Sequence, residues 1–95
     1  MASVSVTNTG AVNSDSARIN ILDGSARVVA KNNGPYNLVV KVMYSKFLAF
    51  TQKEFTVYPG KTLDTTFSIP DNTYWLRIGP VNARIPAQGT ATLYN

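Results

Sequence analysis

Apolar and polar residues alternate with a period of two along most of this chain, and clusters of Gly, Pro and Asn interrupt the alternation. The longest unbroken run is Tyr36 to Ser45, YNLVVKVMYS. In an extended strand Leu38, Val40, Val42 and Tyr44 share one face, while Asn37, Val39, Lys41, Met43 and Ser45 share the other. The first set predicts a side turned to a core. The second is mixed, as suits a half-covered outer face, and the run is expected to be the central strand.

The remaining segments read the same way. Residues 2–7 place Val4 and Val6 on one side, and residues 8–16 are rich in turn formers and read as a loop. Asp23-Gly24 lies between two alternating runs, ARINIL and SARVVAK, and predicts a two-residue hairpin. Such a loop pairs Leu22 with Ser25, Ile21 with Ala26, Asn20 with Arg27 and Ile19 with Val28. Ile19, Ile21, Ala26 and Val28 then share one face, while Asn20 and Arg27 share the other. Residues 54–58 turn Phe55 and Val57 inward. Tyr58-Pro59-Gly60-Lys61 has Pro and Gly in the order of a type II turn. Residues 62–69 alternate Leu63, Thr65, Phe67 and Ile69 with polar partners. Residues 73–78 set Tyr74, Leu76 and Ile78 against Thr73, Trp75 and Arg77, and residues 90–94 turn Ala91 and Leu93 inward. Between them, VNARI is a weak segment.

No segment carries a 3.6-residue apolar period of helical length. The pattern predicts an all-β fold, a single domain over residues 1–95. Its expected form is a small antiparallel β-sandwich of seven to nine strands, immunoglobulin-like or Greek-key, with a small β-barrel as the alternative. The Asn33-Gly34-Pro35 turn, the Tyr58-Pro59-Gly60 turn, and Ile69-Pro70-Asp71-Asn72-Thr73-Tyr74 with Leu76 two residues on resemble the second half of an immunoglobulin-like or fibronectin-like sandwich. That resemblance implies a corner hydrogen bond from Tyr74. It covers less than half the chain, and the early core tryptophan and the cysteine pair of such domains are missing. A fold likeness of this kind carries no function.

Composition narrows the chemistry. With no cysteine and no histidine, the chain lacks thiolate nucleophiles, an imidazole base and the usual ligands of zinc, copper and iron. Asp15, Asp23, Glu54, Asp64 and Asp71 show neither paired acid-base spacing nor a calcium-loop pattern, and the glycines are isolated in turns. The chain therefore reads as no enzyme, with no catalytic residue, no metal and no cofactor. Nine Lys and Arg against five Asp and Glu give +4, a balance that favours acidic partners, although the cations are scattered as solubility alone would scatter them. The first ten residues lack the basic start and apolar stretch of a secretory signal. The expectation is a secreted protein if Met1 was added to a mature chain, and a cytoplasmic one otherwise.

Two stretches stand out as candidate binding elements. Trp75 and Arg77 lie on the polar face of their strand, where an aromatic plane beside a cation suits a sugar ring, a base or a peptide side chain. Tyr58 and Lys61, from the neighbouring turn, complete this ligand-binding set. The competing reading places Trp75 in a second core or under a loop. The second stretch is the irregular KFLAFTQ, in which Lys46, Phe47, Phe50 and Lys53 would form a membrane or partner loop. Its competing reading is a strand continuing past a bulge, with both phenylalanines in the core. Tyr36, Lys41 and Tyr44 are the local hint of a nucleic-acid surface, but Tyr44 and Lys41 fall on opposite faces, which argues against one.

These observations point first to a non-enzymatic binding or adhesion module that recognises a glycan or a protein surface in a lectin-like manner. Two alternatives are a small secreted cationic toxin or antimicrobial protein acting at a membrane surface, and an inhibitor of an extracellular hydrolase presenting Pro59 to Thr62. Edge strands of a small sandwich also allow a homodimer.

Overall fold

The computed structural model describes residues 2–45, 48–82 and 84–95. Among the described residues nine strands run in chain order: β1 (Ser3–Asn8), β2 (Ser14–Asp15), β3 (Ile19–Ile21), β4 (Ser25–Asn32), β5 (Leu38–Ser45), β6 (Ala49–Val57), β7 (Thr62–Ser68), β8 (Asn72–Pro80) and β9 (Gly89–Tyr94). No helix is present among the described residues. One antiparallel sheet has the order β1-β9-β4-β7. The other has the order β2-β8-β5-β6, with β3 also paired to β8. The chain is a small β-sandwich, as its alternation predicts.

β5 holds an interior place between β8 and β6. Leu38, Val40 and Val42 are fully buried, and opposite them lie Val28 of β4 and Leu93 of β9. In an immunoglobulin sandwich the last strand lies beside the preceding one in the same sheet. Here β9 crosses to the other sheet and inserts between β1 and β4. With β2 and β3 counted as one interrupted strand, this is the two-Greek-key arrangement of a jelly roll. The Greek-key branch of the expectation therefore describes the connectivity. The corner hydrogen bond nevertheless forms: the Tyr74 hydroxyl donates to the carbonyl of Pro70.

The Asp23-Gly24 hairpin does not form. Ile19–Ile21 pairs with Tyr74, Thr73 and Asn72 of β8, whereas β4 pairs with β7 and β9 in the opposite sheet. A type I′ turn needs positive φ at both central residues, and only Gly24 has it, at 75°. Asp23 instead accepts the Ser25 N–H, Asp71 accepts the Gly24 N–H, and the Gly24 carbonyl accepts the Ile69 N–H. Asp23-Gly24 is thus a corner between sheets. Ile19, Ile21, Ala26 and Val28 still share a core, but they meet it from opposite sides. Two strands facing each other across a core leave the same alternation as two paired in one sheet.

Two other crossings between sheets use one device twice. Asn8 and Asn32, at the ends of β1 and β4, are buried and both are in register with Gly89. In Asn8-Thr9-Gly10 the Asn8 Oδ1 accepts the Gly10 N–H, and Nδ2 donates to the carbonyls of Val12 and, across the sandwich, Ile78. In Asn32-Asn33-Gly34 the Asn32 Oδ1 accepts the Gly34 N–H, and Nδ2 donates to the carbonyls of Tyr36 and Val57. Each amide satisfies backbone groups that the crossing takes away from water, which are costly to leave unpaired. The backbone of Asn32 also receives the N–H of Gly60 and donates to the carbonyl of Lys61, which fixes the 58–61 turn. That turn closes as the sequence predicts, with Lys61 N–H bonded to the Tyr58 carbonyl and Gly60 at φ 75°.

Candidate functional site

The outer face of the second sheet carries the candidate site. Registers place Asp15, Arg77, Lys41 and Glu54 side by side across β2, β8, β5 and β6. The next row toward the Asn8 and Asn32 clips runs Gly79, Val39 and Thr56. A Cβ on Gly79 would stand 2.0 Å from the Asn13 Oδ1, so the missing side chain lets Asn13 lie against the sheet. These rows floor a groove of about 560 Å³, with Asn37, Tyr58 and Val81 along its margin.

The charged row is arranged in two pairs. Arg77 donates from Nε and Nη2 to the two carboxylate oxygens of Asp15, at 2.7 and 3.0 Å. This bond lifts the Arg77 guanidinium further above its ordinary value. It also ties the two-residue β2 to β8. Lys41 Nζ stands 3.7 Å from Glu54 Oε1, an ion pair too long for a hydrogen bond. The Lys41 donors and the Glu54 acceptors are therefore open to a ligand. Among the described residues no three acidic side chains gather as a metal site.

Of the expected ligand set, Arg77 and Tyr58 both line the groove. Lys61 is exposed on the 58–61 turn but does not line it. Trp75 is on the outer face, as its alternation predicts, yet it is only 6% exposed. The open aromatic plane is corrected to a covered one: the Arg18 guanidinium lies 4.8 Å from the ring centroid. The cause is a bulge. Asp15 pairs with Arg77 and Ile19 with Tyr74, so Ser16, Ala17 and Arg18 oppose only Leu76 and Trp75. The extra residue shifts the parity, turning Ile19 to the core and bringing Arg18 out over Trp75. The Ser16 hydroxyl accepts the Leu76 N–H and the Ser16 N–H donates to the Leu76 carbonyl, bridging the gap in the ladder.

The irregular stretch is also a bulge. Val42 pairs with Lys53 and Met43 with Thr51, which leaves Gln52 without an opposite residue. One strand, β6, therefore runs through residues 49–57. Lys46 and Phe47 lie outside the described residues. Phe50 is 46% exposed, so it does not join the core. Its ring tilts against Tyr44 at 5.6 Å, and Tyr44 meets Tyr74 edge-on at 6.3 Å. Lys53, opposite Val42, is exposed and lies 5.8 Å from the Phe67 ring of β7. The sequence reading missed Asn13, Asn37 and Glu54 as groove residues. It named Lys41 only with Tyr36 and Tyr44, as the hint of a nucleic-acid surface, because neighbours across strands depend on register.

No protein-family model matches the chain, and no curated protein matches it in sequence. Among solved structures, one titled "Crystal structure of PirA" is similar over 97% of this chain and 91% of that chain, with 17% identity and a TM-score of 0.58. At that identity the likeness is one of fold.

Proposed function

We propose that this chain is a non-enzymatic recognition module that holds a glycan in the groove on the outer face of its second sheet. The observation that carries this reading is the loose Lys41–Glu54 pair beside exposed Tyr58. A sugar presents neighbouring hydroxyls that both donate and accept, and an apolar ring face. Lys41 and Asn37 supply donors, Glu54 supplies an acceptor, and Tyr58 supplies a wall for the ring. The sheet floor is rigid, so little ordering is needed on binding.

Glycan-array screening followed by calorimetry tests the proposal. Tyr58→Ala and Glu54→Gln are each expected to weaken binding about tenfold, the loss of one good contact. Both residues are exposed, so the fold remains. A glycan bound equally by wild type and both variants would place the site elsewhere.

A second reading rests on Leu48, 68% exposed, beside half-exposed Phe50 at the β5–β6 connection. Apolar side chains at a tip suit insertion into a membrane interface. Leakage from anionic vesicles that Leu48→Ser with Phe50→Ser abolishes would support it, and no leakage at micromolar protein would end it.

A further inference from the structure

Beside the groove, on the far side of Arg77, lies a polar notch of about 300 Å³. We infer that the ligand of this face is an acidic saccharide, whose carboxylate or sulfate group the notch binds between Arg18 and Arg77. The inference rests on the glycan reading of the groove and adds the class of glycan.

Unpaired donors separate the notch from its surroundings. In the groove each cation has an acidic neighbour, Glu54 for Lys41 and Asp15 for Arg77. The notch holds Arg18 and Arg77 against Asp15 alone, which leaves one positive charge uncompensated. Arg18 takes part in no ion pair or side-chain hydrogen bond among the described residues; the Trp75 ring holds its guanidinium in place. A guanidinium held this way keeps its five donors for a ligand and has less freedom to lose on binding. Arg77 spends Nε and Nη2 on Asp15, and its Nη1 group remains. Trp75 and Arg77 are two residues apart on one face of β8, about 7 Å along a strand. Arg18, over Trp75, and Arg77 therefore line one notch from the same face of the sheet. Since Arg77 lines both cavities, a sugar in the groove presents its acidic substituent to the notch. The chain's net charge of +4 draws such a ligand in.

The test is calorimetry of the whole chain with three oligosaccharides of equal length: neutral, uronate and sulfated. An oligonucleotide of matching charge is titrated alongside them. At least one acidic saccharide is expected to bind more tightly than the neutral one, with an advantage that shrinks as salt rises. Arg18→Gln should cost that saccharide about tenfold, the loss of one charged hydrogen-bonding partner, and leave neutral binding unchanged. Arg18→Lys should keep part of the advantage. The uronate and sulfate arms show which group the notch takes. If the neutral saccharide binds as tightly as the acidic ones, or if Arg18→Gln changes nothing, this inference is overturned while the glycan reading stands. If no saccharide binds, both fall. Binding of the oligonucleotide alone, with the same dependence on Arg18, overturns both in favour of a nucleic-acid ligand.

Discussion

Replacing Asn32 tests how the sandwich holds its two sheets together. In Asn32→Ala three backbone groups lose their partner: the Gly34 N–H and the carbonyls of Tyr36 and Val57. Tyr36 is exposed, so its carbonyl can turn to water, but Gly34 and Val57 are buried. Two buried polar groups left unpaired cost about 1–3 kcal/mol each, so the loss is on the order of 4 kcal/mol. A domain of this size has roughly 5–14 kcal/mol in all, and the variant should unfold at much lower urea. Asn32→Asp sharpens the argument. It keeps an acceptor for Gly34 but loses both donors and sets a carboxylate against two carbonyl oxygens. Burial then raises its folded pKa above the ordinary value near 4. Its relative stability should be greatest below about pH 4 and fall as pH rises through the folded pKa, whereas the Asn32→Ala deficit should be flat with pH. Urea melts of both variants from pH 3.5 to 7.5 at 15 °C read this directly. A cost below about 1 kcal/mol for Asn32→Ala, well short of one unpaired buried group, would refute the clip. So would Asn32→Asp as stable as wild type at neutral pH.

Other expectations follow from single contacts. Tyr74→Phe removes the corner bond to Pro70 and should cost about 1–2 kcal/mol. Burial, then Tyr44 and Asp71, raise the Tyr74 hydroxyl's pKa. Its contribution is therefore full below about pH 10 and lost as pH climbs through the folded value, and melts at pH 9 and 11 should show a smaller alkaline loss in the variant. Gly89→Ala would bring a Cβ within 2.5 Å of the Lys31 carbonyl oxygen and 2.6 Å of Leu38 Cδ2. It should destabilise by more than about 2 kcal/mol, while Gly10→Ala, with nothing within 4 Å, serves as a near-neutral control. The hydrogen bond from Arg27 holds the Asp64 carboxylate below its ordinary value. NMR titration should find it rising toward normal in Arg27→Gln; in wild type this pairing is present above about pH 4 and lost as pH falls through the folded pKa. Trp75, the chain's one tryptophan, should emit in the blue and resist acrylamide, and Arg18→Gln should expose it. Unchanged quenching would mean that Arg18 is not the cover.

Period-two alternation by itself determined the class of fold, the interior place of β5 and the inward residues of β4, β7, β8 and β9. It could do so because burial acts on each side chain according to its face, whichever strand lies alongside. Turn chemistry fixed the 58–61 bend by the same local logic, while the corner role of Tyr74 was what the resemblance to an immunoglobulin-like sandwich implied. Partner choice was not local. Ile19 and Ile21 carry the same pattern whether they pair with Ala26 and Val28 or face them across the core. Only the φ of Asp23 and the competing bonds from Asp71 and Ile69 decided between the two. The groove belongs to that second category. Asp15, Arg77, Lys41 and Glu54 come from four strands and meet through register alone, and one extra residue before Ile19 placed Arg18 over Trp75. Register is set by bulges and by pairing between distant segments, so the tertiary structure alone could assemble the groove.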